Sequence, residues 1–189
     1  MDKSDALELL QAAYKNEVEY RGFTFSPSMD TQQALDIAAD WLTGNTKTGL
    51  IIMGTPGNGK TTLAKAMQRL VNAFRMKDEY DHYIDMRFRT AKDIVQMSKE
   101  QNEAYRNICH TPLLTIDDFG EEQVDVLDYG NVTNPMIDLL SIRYNEQLPT
   151  ILTTNIGPDR IRQNYGDRIA DRFNEFMRVV IIRHTSFRK

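Results

Sequence analysis

Apolar positions along this chain follow a helical period in some stretches and run continuously in others, and the two patterns alternate. Within residues 4–15 they fall at Ala6, Leu9, Leu10 and Ala13, which is helical spacing. An irregular link follows, Arg21-Gly22-Phe23-Thr24-Phe25-Ser26-Pro27. The series Ala34, Ile37, Ala38, Trp41, Leu42 then builds one apolar helix face, with Asp30 read as its N-cap, Gln33 as the capping-box partner and Gly44 as its end. Gly49-Leu50-Ile51-Ile52-Met53 is instead apolar throughout and bounded by turn residues, the pattern of a strand covered on both faces. Leu63, Ala66, Met67, Leu70, Val71 and Phe74 return to helical spacing. Beyond them the pattern predicts a strand over 83–88, broken helix over 90–108 and a buried strand over 113–116. It then predicts a helix over 135–147 opened by Pro135, a strand over 150–153, helix over most of 159–173 and a last strand over 178–183. Strands alternating with helices predict an α/β sandwich, and ligands in such folds bind beyond the carboxyl ends of the strands.

The candidate chemistry sits at those ends. Gly54-Thr55-Pro56-Gly57-Asn58-Gly59-Lys60-Thr61-Thr62 lies between a buried strand and an amphipathic helix and matches the phosphate-loop pattern G-x-x-x-x-G-K-[ST]. Glycines let successive amide N–H groups turn inward, and the helix N-terminus adds partial positive charge, so the loop can cradle anionic oxygens. Thr55, Pro56, Gly57, Asn58, Gly59, Lys60, Thr61 and Thr62 are the expected nucleotide-binding residues. Lys60 would reach the β- and γ-phosphates, and Thr61 would offer its hydroxyl to Mg²⁺. The strand Leu113-Leu114-Thr115-Ile116 ends in Asp117-Asp118, a Walker B arrangement. Asp117 would hold Mg²⁺ and Asp118 would orient the attacking water, with Glu121 or Glu122 able to share that task. Thr153-Thr154-Asn155 ends the next strand, where Asn155 would either form the turn before Ile156-Gly157-Pro158 or, the favoured reading, face the γ-phosphate.

Composition narrows the classes. The 189 residues suit one ordinary domain, and 41% hydrophobic content suffices for a core. A single cysteine, Cys109, excludes an internal disulfide. No apolar run approaches the roughly 20 residues of a membrane span, and the first residues lack a signal-peptide pattern, so a cytoplasmic protein with no membrane partner is expected. The net charge of −4 excludes whole-chain electrostatic binding to nucleic acid. Six acids and no base fall between Asp117 and Asp128, while eight Lys/Arg and four acids follow from Asp159 onward.

With these residues in place the chain resembles the DnaC/IstB family of AAA+ ATPases, the bacterial helicase loaders and transposition ATPases. The likeness rests on Phe23-Thr24-Phe25 ahead of a helix, Gly49-Leu50 leading into the phosphate loop, and Leu114-Thr115-Ile116-Asp117-Asp118-Phe119-Gly120. It continues through Arg143-Tyr144, Pro149-Thr150-Ile151-Leu152-Thr153-Thr154-Asn155, Gly166-Asp167-Arg168-Ile169-Ala170-Asp171-Arg172-Phe173 and the terminal Ser186-Phe187-Arg188. The resemblance implies a P-loop NTPase of the AAA+ type: a three-layer sandwich on a mainly parallel sheet, without a large C-terminal lid. Residues 1–44 would form a helical extension packed on a 45–189 ATPase domain. It implies ATP and ADP as nucleotides, Asn155 as sensor, and an arginine finger acting in a neighbouring subunit, with Arg172 first choice and Arg168 second. Self-association on ATP binding, a replicative helicase or transposase, and DNA are the implied partners. A P-loop kinase of small molecules and an ATP-occupancy switch without turnover are the competing functions. The guanine motif N-K-x-D is absent, which argues against a GTPase.

Overall fold

The structure, a computed structural model, describes residues 1–44, 47–100, 102–124, 126–128 and 131–183. The terminal segment Ser186-Phe187-Arg188, and Asp125 of the acidic stretch, lie outside the described residues. In chain order the elements are α1 (Lys3–Tyr20), α2 (Met29–Leu42), β1 (Gly49–Gly54), α3 (Lys60–Ala73), β2 (Met86–Thr90), α4 (Ala91–Glu100), α5 (Asn102–Cys109) and β3 (Leu113–Phe119). There follow β4 (Val126–Asp128), β5 (Asn131–Thr133), α6 (Pro135–Asn145), β6 (Thr150–Thr154), α7 (Pro158–Phe176) and β7 (Met177–Ile182).

Five strands form one sheet in the order β2-β3-β6-β1-β7, and all four pairings are parallel. Because side chains alternate across a strand, Leu50 and Ile52 of β1 point to one face and Ile51 to the other. The first face packs α1, α2 and α3 through Leu10, Leu35, Ala38, Leu63 and Met67. The second packs α4 to α7 through Ile94, Met136, Leu139, Ile161 and Ile169. Three layers result, as the family resemblance implies, and α1 and α2 share a core with β1 and α3. No separate helical lid is present among the described residues.

Several boundaries differ from the pattern-based expectation. The second helix is capped by Ser28, whose hydroxyl accepts from Thr31 N at 3.2 Å; Asp30 sits inside the first turn. Burial of Thr31, Ala34, Leu35 and Ala38 sets the helix register, and that register brings Ser28, not Asp30, to the cap. The second strand begins at Met86 and not near 83, because Met86 pairs with Leu113 in the sheet while Tyr83 bridges back to Lys77 in a small exposed loop. The end of the acidic stretch, β4, pairs antiparallel with β5 beyond it, which no alternation announced.

One buried cation organises the end of the sheet away from the phosphate loop. Arg143 of α6 is 0% exposed and donates to Thr150 Oγ1 (2.7 Å) and to the carbonyls of Cys109 (3.1 Å), Thr111 (2.8 Å) and Pro149 (2.8 Å). Its planar fork collects the chain ends that enter β3 and β6. Desolvation lowers its pKa to about 10, so it stays charged at neutral pH.

Candidate nucleotide-binding site

The carboxyl ends of the strands open into a cavity of about 580 Å³. Residues 56–62 of the phosphate loop line one wall, with Thr90, Lys92, Asp118, Glu121 and Asn155 across from them. Tyr14, Val18, Arg21, residues 23–27 and Thr31 close the remaining side. The loop follows β1 directly and turns into α3 at Gly59, whose φ of 98° is left-handed and leaves no side chain over the helix N-terminus. Asn58, fully buried, ties the loop to the sheet edge by donating to Ile182 O at 2.5 Å. Lys60 Nζ donates across the loop to Gly54 O (2.9 Å), Thr55 O (2.8 Å) and Asn58 Oδ1 (3.2 Å). Its ammonium is thereby held against the loop's own oxygens. Thr55 contributes through that carbonyl; its side chain is exposed and does not line the cavity.

Asp117 is 5% exposed and lies under the loop. Its Oδ1 accepts from Thr61 Oγ1 at 3.0 Å and from Thr153 Oγ1 at 2.5 Å, so hydroxyls from α3 and β6 clasp it from two sides. The order β3-β6-β1 is what brings a β6 hydroxyl between the two motifs. Asp118 follows in a left-handed conformation, φ 56°, at an irregularity in the β3–β6 register, and its N–H donates to Thr153 Oγ1 at 3.0 Å. That turn lifts the Asp118 carboxyl into the cavity while Asp117 stays below. Burial pushes the Asp118 pKa up, Asp117 and Glu121 add to the rise, and Lys60 and Lys92 oppose it. Asn155 donates from Nδ2 to Glu121 Oε1 at 3.4 Å, and its Oδ1 is buried without a hydrogen-bond partner.

The two glutamates after Asp118 part company. Glu121 is exposed and lines the cavity, whereas Glu122 is buried against Gly120 N (2.7 Å) and Tyr165 Oη. Glu122 is therefore removed from the candidate bases. Two cations escaped the sequence reading. Lys92, at the start of α4, lines the cavity beside Asp118, and Arg21, at the end of α1, donates to Thr62 Oγ1 at 3.0 Å. No motif marks either one, since each arrives from a different element. Arg168 and Arg172 lie away from this cavity, on α7. Arg172 donates to Ser141 Oγ at 2.7 Å and stacks 4.7 Å from the Tyr144 ring centre, both on its own α6. Arg168 is exposed and makes no hydrogen bond or ion pair among the described residues. Surface pairing of these arginines with Asp167, Asp171 or Glu175 does not occur; Arg162 takes the two aspartates and Tyr144 takes Glu175.

The donor set suits Mg²⁺. Two oxygens bound at right angles in an octahedral Mg²⁺ shell stand roughly 3 Å apart. Thr61 Oγ1 and Asp117 Oδ1 are separated by 3.0 Å. Among the described residues no cluster of three His, Cys, Asp or Glu could hold a metal by itself, so an ion here would depend on phosphate oxygens for the rest of its shell. No helix among the described residues is long and apolar enough to cross a membrane.

The model of one protein family, IstB-like ATP binding protein, matches residues 3–189. Among solved structures, the fold is similar to the DnaC helicase loader at 22% identity and TM-score 0.66, over 90% of this chain and 98% of that one. A putative primosome component from Streptococcus pyogenes serotype M3 matches at 18% identity and TM-score 0.65, over 94% and 99%. The replication initiator DnaA bound to AMPPCP and single-stranded DNA matches at 19% identity and TM-score 0.63, over 85% of this chain and 49% of that one. At these identities the structural likeness establishes the fold. No curated protein matches the chain.

Proposed function

Since this chain belongs to the IstB-like ATP binding protein family, we propose that it hydrolyses Mg-ATP in the cavity above Asp117 and does so as one subunit of an assembly acting in DNA replication or transposition. The observation that carries the reading is the clasp of Asp117 by Thr61 and Thr153, with the Asp118 carboxyl raised into the cavity beside it. A phosphate-binding loop alone serves many functions; two adjacent acids split between a buried metal position and the cavity wall serve hydrolysis.

Each residue then has a task. Lys60 and the loop amides hold the β- and γ-phosphates. Mg²⁺, when bound at Thr61 and Asp117, supplies positive charge against the phosphate oxygens. Asp118 accepts the proton of the attacking water, and its raised pKa makes it a stronger base than an ordinary aspartate. Asn155, on the cavity wall beside Glu121, is the proposed sensor of the γ-phosphate. The α1–α2 link supplies the far wall. There Tyr14 and Phe25, in edge contact with ring centres 6.0 Å apart, provide apolar surface for the purine base, so residues 1–44 complete the nucleotide site as well as the core.

Of the two arginines on α7, Arg168 is the better finger, because Arg172 is committed to Ser141 and Tyr144 of its own subunit. The reading adopts the cytoplasm as compartment, where the buried thiol of Cys109 stays reduced. Helicase or transposase and DNA are proposed partners. Titrating ATPase activity against single- and double-stranded DNA over a range of protein concentration tests the whole reading. Turnover that rises with DNA, rises faster than linearly with protein and is abolished by Asp118→Asn supports it. Turnover absent under every condition, with ATP still bound, refutes hydrolysis.

A further inference from the structure

Glu122 is a buried carboxylate that the proposed chemistry does not use. Its Oε2 accepts from Gly120 N at 2.7 Å and its Oε1 accepts from the Tyr165 hydroxyl. Both residues are nearly excluded from solvent, Glu122 at 6% and Tyr165 at 3% exposure. The nearest explanation is packing, since Tyr165 also stacks on Phe119 with ring centres 4.5 Å apart at 23°. Packing accounts for the ring. It does not account for burying a carboxylate, which is costly unless every oxygen is satisfied.

The two ends of this contact differ in what they carry. Glu122 closes the turn that begins at Asp118. That turn is stiff: Asp118 has φ 56°, and Gly120 has φ 96° with no room for a Cβ, which would stand 2.6 Å from Ile156 Cδ1. Tyr165 immediately precedes Gly166, where φ 82° and ψ 167° break α7 into two helical halves. The second half begins there and carries Arg168, exposed and unpaired among the described residues. The Tyr165–Glu122 hydrogen bond, beside the Phe119–Tyr165 stack, therefore joins the base-bearing turn of one pocket to the break from which the arginine projects.

We propose that Glu122 and Tyr165 form a positioning couple that holds the Asp118 turn in place and passes the nucleotide state of the pocket to the α7 segment bearing Arg168. The inference rests on the ATPase reading above and adds to it a route between adjoining sites. A phosphate or water seated on Asp118 shifts the stiff 118–122 turn as one unit. Because the Tyr165 hydroxyl is bonded to the Glu122 carboxylate, Tyr165 follows it, and the hinge at Gly166 takes up the movement. Neither residue touches nucleotide, so both act through others. Burial and the adjacent carboxylate push the Tyr165 phenol upward, which keeps it the donor throughout the working pH range.

Amide hydrogen exchange of the full chain, with and without AMPPCP and Mg²⁺, tests the couple without relying on turnover. Four proteins are compared: wild type, Tyr165→Phe, Glu122→Ala and Glu122→Gln. Tyr165→Phe removes one hydroxyl and keeps the Phe119 stack, so its fold should survive. Glu122→Gln keeps both contacts, accepting from Gly120 through Oε1 and donating to the Tyr165 oxygen through Nε2. AMPPCP should slow exchange in the phosphate loop of all four proteins. Across residues 158–176 it should slow exchange by about fivefold in wild type and Glu122→Gln, and hardly at all in Tyr165→Phe and Glu122→Ala. Turnover should fall about tenfold in Tyr165→Phe with ATP affinity unchanged. Loop protection combined with an α7 response that survives Tyr165→Phe, or is absent from wild type, sinks the couple alone. No loop protection in wild type sinks the nucleotide site and the couple together.

Discussion

Asp118 is the residue on which opposing influences can be removed one at a time. Burial, Asp117 and Glu121 raise its pKa, while Lys60 and Lys92 lower it. A base works only when deprotonated, so turnover should fail as pH drops through a pKa above the ordinary aspartate value. Glu121→Gln removes a raising charge and should move the acid limb of kcat/KM to lower pH. Lys92→Ala removes a lowering charge and should move it to higher pH. Shifts in the same direction, or none, would mean that another group sets the limb. Asp118→Asn keeps the shape and should bind Mg-ATP while losing about 10²-fold or more in turnover. Lys60→Ala strips the charge from the phosphate loop and should weaken ATP binding at least tenfold, about 1.4 kcal/mol, by calorimetry. Affinity unchanged by that substitution would move the nucleotide elsewhere.

Helix ends and strand starts carry the next set of expectations. The cap of α2 is Ser28, so Ser28→Ala should cost about 1 kcal/mol in urea denaturation. Asp30→Ala loses only a charge near the helix N-terminus and should cost roughly half that or less. The reverse ranking would restore Asp30 as the cap. Arg143 is a larger matter, because its fork bonds three carbonyls and a hydroxyl. Arg143→Ala takes the donor from the Cys109 and Thr111 carbonyls, while Pro149 O keeps Leu114 N and the Thr150 hydroxyl keeps Leu148 O. An unmet buried polar group costs about 1–3 kcal/mol, so a loss of at least ~2 kcal/mol is expected. Arg143→Lys should recover little of it, since one ammonium cannot span acceptors that the guanidinium fork reaches.

At the scale of the whole molecule the test is whether sites are shared. Arg168→Ala should bind ATP normally and hydrolyse it about 10³-fold more slowly, the lower range for a lost arginine finger. Mixing it with Lys60→Ala should restore part of the activity, because the second protein keeps its arginine and can lend it to the intact pocket beside it. Arg172→Ala should show a smaller loss of turnover and a lower unfolding midpoint, since its contacts lie within one subunit. If mixing restores nothing and activity per subunit is independent of concentration, Arg168 is a surface residue and each subunit works alone.

Features written in consecutive residues were legible before any coordinates. The phosphate loop is one, because nine neighbouring residues make the nest with their own backbone, and Gly59 needs no distant partner to turn into α3. The buried strands are another, because burial on both faces of a parallel sheet demands unbroken apolar runs such as Leu50-Ile51-Ile52. The adjacency of Asp117 and Asp118 was equally plain, and so was the alternation that implied an α/β sandwich. Tertiary structure alone decided which way side chains point and what meets them. Glu121 and Glu122 are the same residue type one position apart, yet the turn at Asp118 and Gly120 sends one to the cavity and the other to Tyr165. Thr153 reaches Asp117 only because β6 lies between β1 and β3. Arg21 meets Thr62 across 41 positions, and Arg172 is occupied by a helix 31 positions away. Sequence pattern reports which faces are apolar; the contacts between polar groups from distant elements depend on strand order and backbone turns, which no local pattern contains.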